Sequence, residues 1–129
     1  MILVDTSIWI ELLTGRLDPA VAGSEPIHFL TCGPVVQEVL QGLRDDPRAE
    51  AFRQGFLALP RISDPVPGAL FLDAAEIYRQ GRRKGYTIRS SADCLIAAIA
   101  IANRVPVWHR DRDYSRIAAY TSLEAFERR

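Results

Sequence analysis

The sequence predicts an α/β domain built on a largely parallel sheet, and three observations carry that reading. The runs Ile2-Leu3-Val4 and Val105-Pro106-Val107-Trp108 are short, aliphatic and free of polar alternation, as expected of strands buried on both faces. The stretches between strands are long enough for crossover helices, which connect parallel strands with a right hand and cover both faces of the sheet. The chain has 129 residues, 48% hydrophobic and 25% charged, enough for one core, so a single domain over residues 1–129 is expected.

Each element has a local reason. Asp5-Thr6-Ser7 follows the first strand at once and can cap a helix from Ser7 to Leu13, closed by Gly15. Ile27 to Thr31 reads as a second strand. Gly33-Pro34 opens a helix to about Leu43, with Pro in its first turn and Val35, Val36, Val39, Leu40 and Leu43 on one stripe. Pro47 starts another helix to about Leu59. Pro60, Pro65 and Pro67 punctuate a loop in which Arg61-Ile62-Ser63 is a short strand candidate. Residues 67–84 form a long helix with Leu70, Ala74, Ile77 and Tyr78 inward, stopped by Gly85. Ser90 caps a helix from Ser91 to Asn103. After the strand at 105–108, residues 109–113 form a polar turn and Tyr114 to Ala118 a small helix. Thr121 or Ser122 is expected to cap a last helix to Arg129.

Several classes are excluded. The longest uncharged apolar run, Cys94 to Ala102, is about half of the roughly 20 residues that a bilayer requires. The opening Met1-Ile2-Leu3-Val4-Asp5 has no basic leader, so a cytoplasmic protein is expected. Cys32 and Cys94 sit in apolar contexts and read as buried thiols. His28 and His109 show no ligand spacing, which argues against zinc.

The zero formal charge hides an asymmetry. Residues 1–78 hold 5 basic and 11 acidic side chains, and residues 79–129 hold 11 basic and 5 acidic ones. The second half therefore offers a surface for an anion, with Arg79, Arg82, Arg83, Lys84 and Arg89 as its densest cluster. Arginine, which dominates this set, presents a planar fork suited to phosphate oxygens.

The carboxylates carry the chemistry. Asp5 directly follows the first strand, and Asp111 and Asp113 follow the strand at 105–108. In a parallel sheet these positions share the carboxyl edge, where open α/β folds bind ligands. The ordinary alternative is an N-cap for Asp5, and a helix cap or a solvated turn for Asp111 and Asp113. Asp93 is the lone polar side chain between Ala92 and Ala102, in a helix apolar nearly all round. A carboxylate there is costly unless it is paired or holds a metal, although a capping box with Ser90 is the ordinary alternative. Glu38 lies off the apolar stripe of its helix, with Gly42 one turn on. Acids gathered in one cleft raise one another's pKa or demand a cation. An oxygen-only donor set selects a hard ion, Mg²⁺ or Mn²⁺, and such clefts serve phosphoryl chemistry.

Asp5-Thr6-Ser7, Glu38, the run Ser90-Ser91-Ala92-Asp93-Cys94-Leu95-Ile96-Ala97-Ala98, and His109-Arg110-Asp111-Arg112-Asp113-Tyr114 together closely resemble the PIN-domain ribonucleases, above all the VapC toxins of toxin–antitoxin modules. The resemblance spans essentially the whole chain. It implies a three-layer α/β/α PIN fold and Mg²⁺- or Mn²⁺-dependent internal cleavage of RNA. Asp5, Glu38, Asp93 and Asp111 match the catalytic acids; Asp5, Asp93, Asp111 and Asp113 are the metal ligands it suggests, with Glu38 activating water. Thr6 or Ser7 matches the hydroxyl beside the metal. The basic second half, with Arg82, Arg83, Arg89 and Arg112, would hold the RNA backbone. His109 or Arg110, and Tyr114, depart from the family's usual residues in the last motif. The partners implied are an RNA substrate, a VapB-type antitoxin and a second copy in a homodimer, with no membrane. Ile8, Trp9, Leu12 and Leu13 offer apolar positions for the antitoxin, or plain core.

Two other classes compete. A small phosphatase would need a nucleophilic aspartate followed by an acid two residues on, which Asp5-Thr6-Ser7 lacks. A non-catalytic module of the same fold would bind RNA or protein and cut nothing.

Overall fold

The fold is taken from a computed structural model that describes residues 1–22 and 28–128. In chain order its elements are β1 (Ile2–Val4), α1 (Thr6–Leu13), a 3₁₀ turn (Pro19–Ala22), β2 (Phe29–Leu30), α2 (Gly33–Gln41), α3 (Pro47–Leu57), α4 (Gly68–Arg83), α5 (Ser91–Asn103), β3 (Val107–Trp108), α6 (Arg112–Ala118) and β4 (Ala125–Phe126). The strands form one parallel sheet in the order β2-β1-β3-β4, flanked by helices in an α/β/α arrangement. All three residues of β1 are buried, so both of its faces are covered, as its unbroken aliphatic run requires.

Register fixes the site. Leu3 pairs with Val107 and Val4 with Trp108, so Asp5 and His109 emerge side by side at the carboxyl edge. The Asp5 N–H donates to the Trp108 carbonyl at 3.0 Å and extends that pairing by one residue. The core joins the strands to residues of all six helices. Trp9 belongs to it: its ring meets Phe29, Phe52 and Phe56 edge-on, and its Nε1 donates to the Val4 carbonyl at 3.1 Å. Ile8 is buried as well, whereas Leu13 is exposed, so α1 gives its best apolar groups to the core rather than to a groove.

The end of α4 follows the chemistry expected of it. Gly85, at φ 86°, takes the left-handed conformation after α4, where the Tyr86 N–H donates to the Gly81 carbonyl at 2.8 Å. Gly81 itself sits under Tyr120, whose hydroxyl donates to the Ile77 carbonyl at 2.7 Å. Cys32 and Cys94 are buried free thiols, and burial pushes each up to about 11.

Other expectations need correction. The helix expected from Thr121 or Ser122 to Arg129 is absent from the described part of that segment: Ala125–Phe126 is strand β4, parallel to β3. The edge of β3 otherwise carries unpaired donors, and the Val107 and His109 N–H groups reach the Glu124 and Phe126 carbonyls. Phe126 also stacks on Trp108 with centroids 6.4 Å apart. Tertiary pairing thus overrides the local capping signal. Arg61 makes only an isolated bridge to Thr31. The second strand is confined to Phe29–Leu30 among the described residues, and Ile27 lies outside them. The helix expected to run to about Leu43 stops at Gln41, and Gly42 caps it.

Candidate active site

Four elements deliver the acids. Asp5 ends β1 and caps α1: its Oδ2 accepts from the Ser7 N–H at 3.1 Å and from Ser7 Oγ at 2.6 Å. Its Oδ1 accepts from the Tyr114 hydroxyl at 2.7 Å, across a fully buried contact between residues at opposite ends of the chain. Asp111 caps α6, accepting from the Asp113 N–H at 2.9 Å. Capping leaves these aspartates lone pairs to spare, because a carboxylate has about four acceptor sites.

Asp93 lies in the first turn of α5 and is buried. The capping box is not formed: Ser90 makes no side-chain cap bond, and Asp93 is left with Oδ2 buried and without a hydrogen-bond donor. Asp93, Asp111 and Asp113 each offer a carboxylate oxygen within 4.8 Å of the others. Burial, a hydrogen bond with Asp111, and the charges of Asp111, Asp5 and Asp113 push Asp93 up to about 9. Asp111 goes the other way. Burial raises it, but the bonds from Asp93 and the Asp113 N–H, with Arg89 nearby, hold it below the usual carboxylate value. The two neighbouring carboxyls are thus pushed in opposite directions.

Asp113 is buried and more elaborately held than its place in a polar turn suggested. The Arg89 N–H donates to it at 3.0 Å, and Arg116 pairs with it at 3.2 Å. Glu38 stands on α2, within Coulombic reach of Asp5 and Asp111. Burial and the Asp5 charge raise its pKa, and Thr6 Oγ1 donates to its Oε1 at 3.5 Å. Glu38 also lines an apolar groove of about 1000 Å³ with Pro34, Phe71, Tyr78, Arg79 and Leu95.

The sequence-predicted residues thus separate into groups. Asp93, Asp111 and Asp113 converge directly, and Asp5 and Glu38 border them through charge and hydroxyl contacts. Arg89 sits close enough to Asp111 to lower its pKa, and Arg112 is exposed in the first turn of α6. Arg83 is paired with Glu76 at 2.7 Å, and Arg82 lies over the Tyr78 ring, so neither is drawn to the acids. Two residues that the sequence marked only as departures within the last motif contact the acids. His109 is buried and accepts the Asp111 N–H on Nδ1 at 3.2 Å, and burial lowers its pKa, so it is neutral. Tyr114 occupies what looks like an ordinary core position of a small helix.

Known proteins are similar to this chain in sequence and in fold. A model of the PIN domain matches residues 2–120. VapC ribonuclease Mb1587 of Mycobacterium bovis and ribonuclease VapC11 of Mycobacterium tuberculosis are each 39% identical to this chain over 132 aligned positions, covering 97% of both proteins. Among solved structures, VapBC2 from Rickettsia felis, bound to a DNA fragment from its promoter, superposes with a TM-score of 0.79 at 19% identity, over 100% of both chains. VapBC-1 from nontypeable Haemophilus influenzae gives 0.73 at 16% identity, over 98% of both, and these two likenesses speak for the fold. With the sequence relatives, they place the chain: it belongs to the PIN-domain family, among the VapC ribonucleases.

Proposed function

We propose that this chain, as a single PIN-like domain over residues 1–129, is a Mg²⁺- or Mn²⁺-dependent endoribonuclease and the toxin of a toxin–antitoxin pair. The observation that carries the reading is the buried aspartate cluster at the carboxyl edge of the sheet, with Asp93 Oδ2 lacking any donor. A buried, unpartnered carboxylate among like charges is unstable as an anion. An oxygen-only donor set in that state fits a hard divalent cation. Asp93, Asp111 and Asp113 would hold it, with Asp5 alongside. When bound, the cation supplies charge neutralisation for a phosphodiester and makes water more acidic.

The protein's own groups do the rest. Glu38, its pKa raised by burial and the Asp5 charge, accepts the proton of the attacking water, and Thr6 holds its carboxylate in place. Ser7 and Tyr114 fix Asp5. Thr6, Ser7, Arg89 and Arg112 line the approach for the RNA backbone, with Arg82 and Arg83 as the outer part of the basic face. Arg83 must exchange Glu76 for phosphate to contribute. The antitoxin is a VapB-type protein, and the exposed Phe71 and Leu72 beside the apolar groove support a protein partner, whether antitoxin or second copy. No helix among the described residues is long and apolar enough to cross a membrane, and we place the protein in the cytoplasm with its RNA.

Incubating the chain with a mixed RNA pool tests the reading. Internal cuts are expected with Mg²⁺ or Mn²⁺, none with EDTA, and none from a folded Asp93→Asn variant. Equal cutting by that variant, or intact RNA with every cation tried, would overturn it.

A further inference from the structure

We propose that Tyr114 is a positioning residue: with Ser7 it clamps both oxygens of Asp5 and so fixes the orientation in which that carboxylate meets a cation. The inference rests on the proposed cation-dependent chemistry and adds to it a residue outside the acidic set.

The geometry is two-sided. The Tyr114 hydroxyl donates to Asp5 Oδ1 at 2.7 Å, and Ser7 Oγ donates to Oδ2 at 2.6 Å. Ser7 is itself oriented, because its Oγ accepts the Arg110 N–H at 3.0 Å. The clamp therefore links β1, α1, the turn after β3 and α6. Tyr114 is fully buried, and a phenylalanine ring would fill the same space without bringing a polar atom inside. A buried hydroxyl is costly without a partner, and the partner here is an acid of the site rather than a backbone carbonyl. Tyr120 is the contrast: its hydroxyl serves the fold by bonding the Ile77 carbonyl at 2.7 Å. Asp93 and Asp5 are thus held in opposite ways. One has an oxygen with no donor and the other has both oxygens occupied, so the directions left open on Asp5 are the remaining lone pairs.

The test is a titration with Mn²⁺ alone, on folded protein without RNA, of wild type, Tyr114→Phe, Ser7→Ala and Tyr120→Phe. Loss of such an outer hydrogen bond weakens metal binding roughly 10- to 100-fold. We expect Tyr114→Phe and Ser7→Ala to show a loss in that range, and Tyr120→Phe, which deletes a hydroxyl bond of equal length elsewhere, to bind as wild type does. In RNA cleavage the half-saturating Mn²⁺ concentration should rise by the same factor for Tyr114→Phe, with the rate at saturating Mn²⁺ retained. Wild-type affinity in Tyr114→Phe would overturn the proposal and leave the nuclease reading intact. If that variant does not fold, wild-type affinity in Ser7→Ala overturns it instead. Absence of Mn²⁺ uptake by the wild type would overturn both.

Discussion

Replacing Asp93 by Asn should stabilise the cation-free protein while removing its activity. Carboxylate oxygens of Asp93, Asp111 and Asp113 lie within 4.8 Å of one another. At that separation two full charges repel by about 3.5 kcal/mol at an effective dielectric of 20. The folded chain avoids this by keeping a proton on Asp93, whose pKa is pushed up to about 9. The unfolded chain releases that proton near pH 4. A carboxyl raised on folding contributes stability that is fully present below about pH 4 and is lost progressively as pH climbs toward the folded value. Asn has no charge and no titration in that window. The advantage of Asp93→Asn should therefore be small at pH 4.5 and grow by about 1.4 kcal/mol per pH unit on the way to pH 9, as the folded chain alone retains the proton. Urea denaturation in EDTA at pH 4.5, 7 and 9 measures it. Saturating Mn²⁺ should reverse the order, stabilising the wild type alone. A variant less stable than wild type at pH 9 in EDTA, or an offset independent of pH, would refute the account of the cluster.

Other consequences follow from the same geometry. Cation binding at pH 7 should expel about one proton, since Asp93 must ionise to become a ligand; calorimetry in two buffers of different ionisation heat reads this, and equal heats would contradict it. Arg112→Ala should weaken RNA binding evenly across sequences and reduce the salt slope by about one. A sequence-selective loss in binding assays would argue instead for base contact. Gly81→Ala should destabilise the fold by about 1 kcal/mol, because a Cβ there would lie 2.5 Å from the Tyr120 hydroxyl, a clash that outweighs the helix-propensity gain. Thermal unfolding decides it, and a higher Tm would mean that the ring moves aside freely.

Local patterns revealed most of the frame. The aliphatic run of β1, the Pro-led starts of α2 and α3, and the glycine closing α4 are decided within a few residues, so the sequence discloses them. The acids were legible for a related reason. Asp5 and Asp111 directly follow strands, and Asp93 is conspicuous in an apolar helix. What stayed hidden depended on contacts across the chain. β4 owes its pairing to the free edge of β3 rather than to its own residues, and Thr121 and Ser122 signalled a helix instead. Asp113 read as a solvated turn residue, yet the Arg89 N–H and Arg116 bury it. No periodicity announces that the Tyr114 hydroxyl reaches Asp5, and none distinguishes Arg89, beside the acids, from Arg83, engaged with Glu76.

Contacts at and after the last strand tie residues 126–128 to the turn that carries Asp111. Phe126 accepts the His109 N–H, the Arg110 guanidinium donates to the Arg128 carbonyl at 3.0 Å, and His109 in turn receives the Asp111 N–H. Trimming by a carboxypeptidase as far as Phe126 would unzip this seam and loosen Asp111 without touching an acid. Met1, exposed and at the far end of β1 from Asp5, is the safer place to attach an affinity handle or a fluorophore.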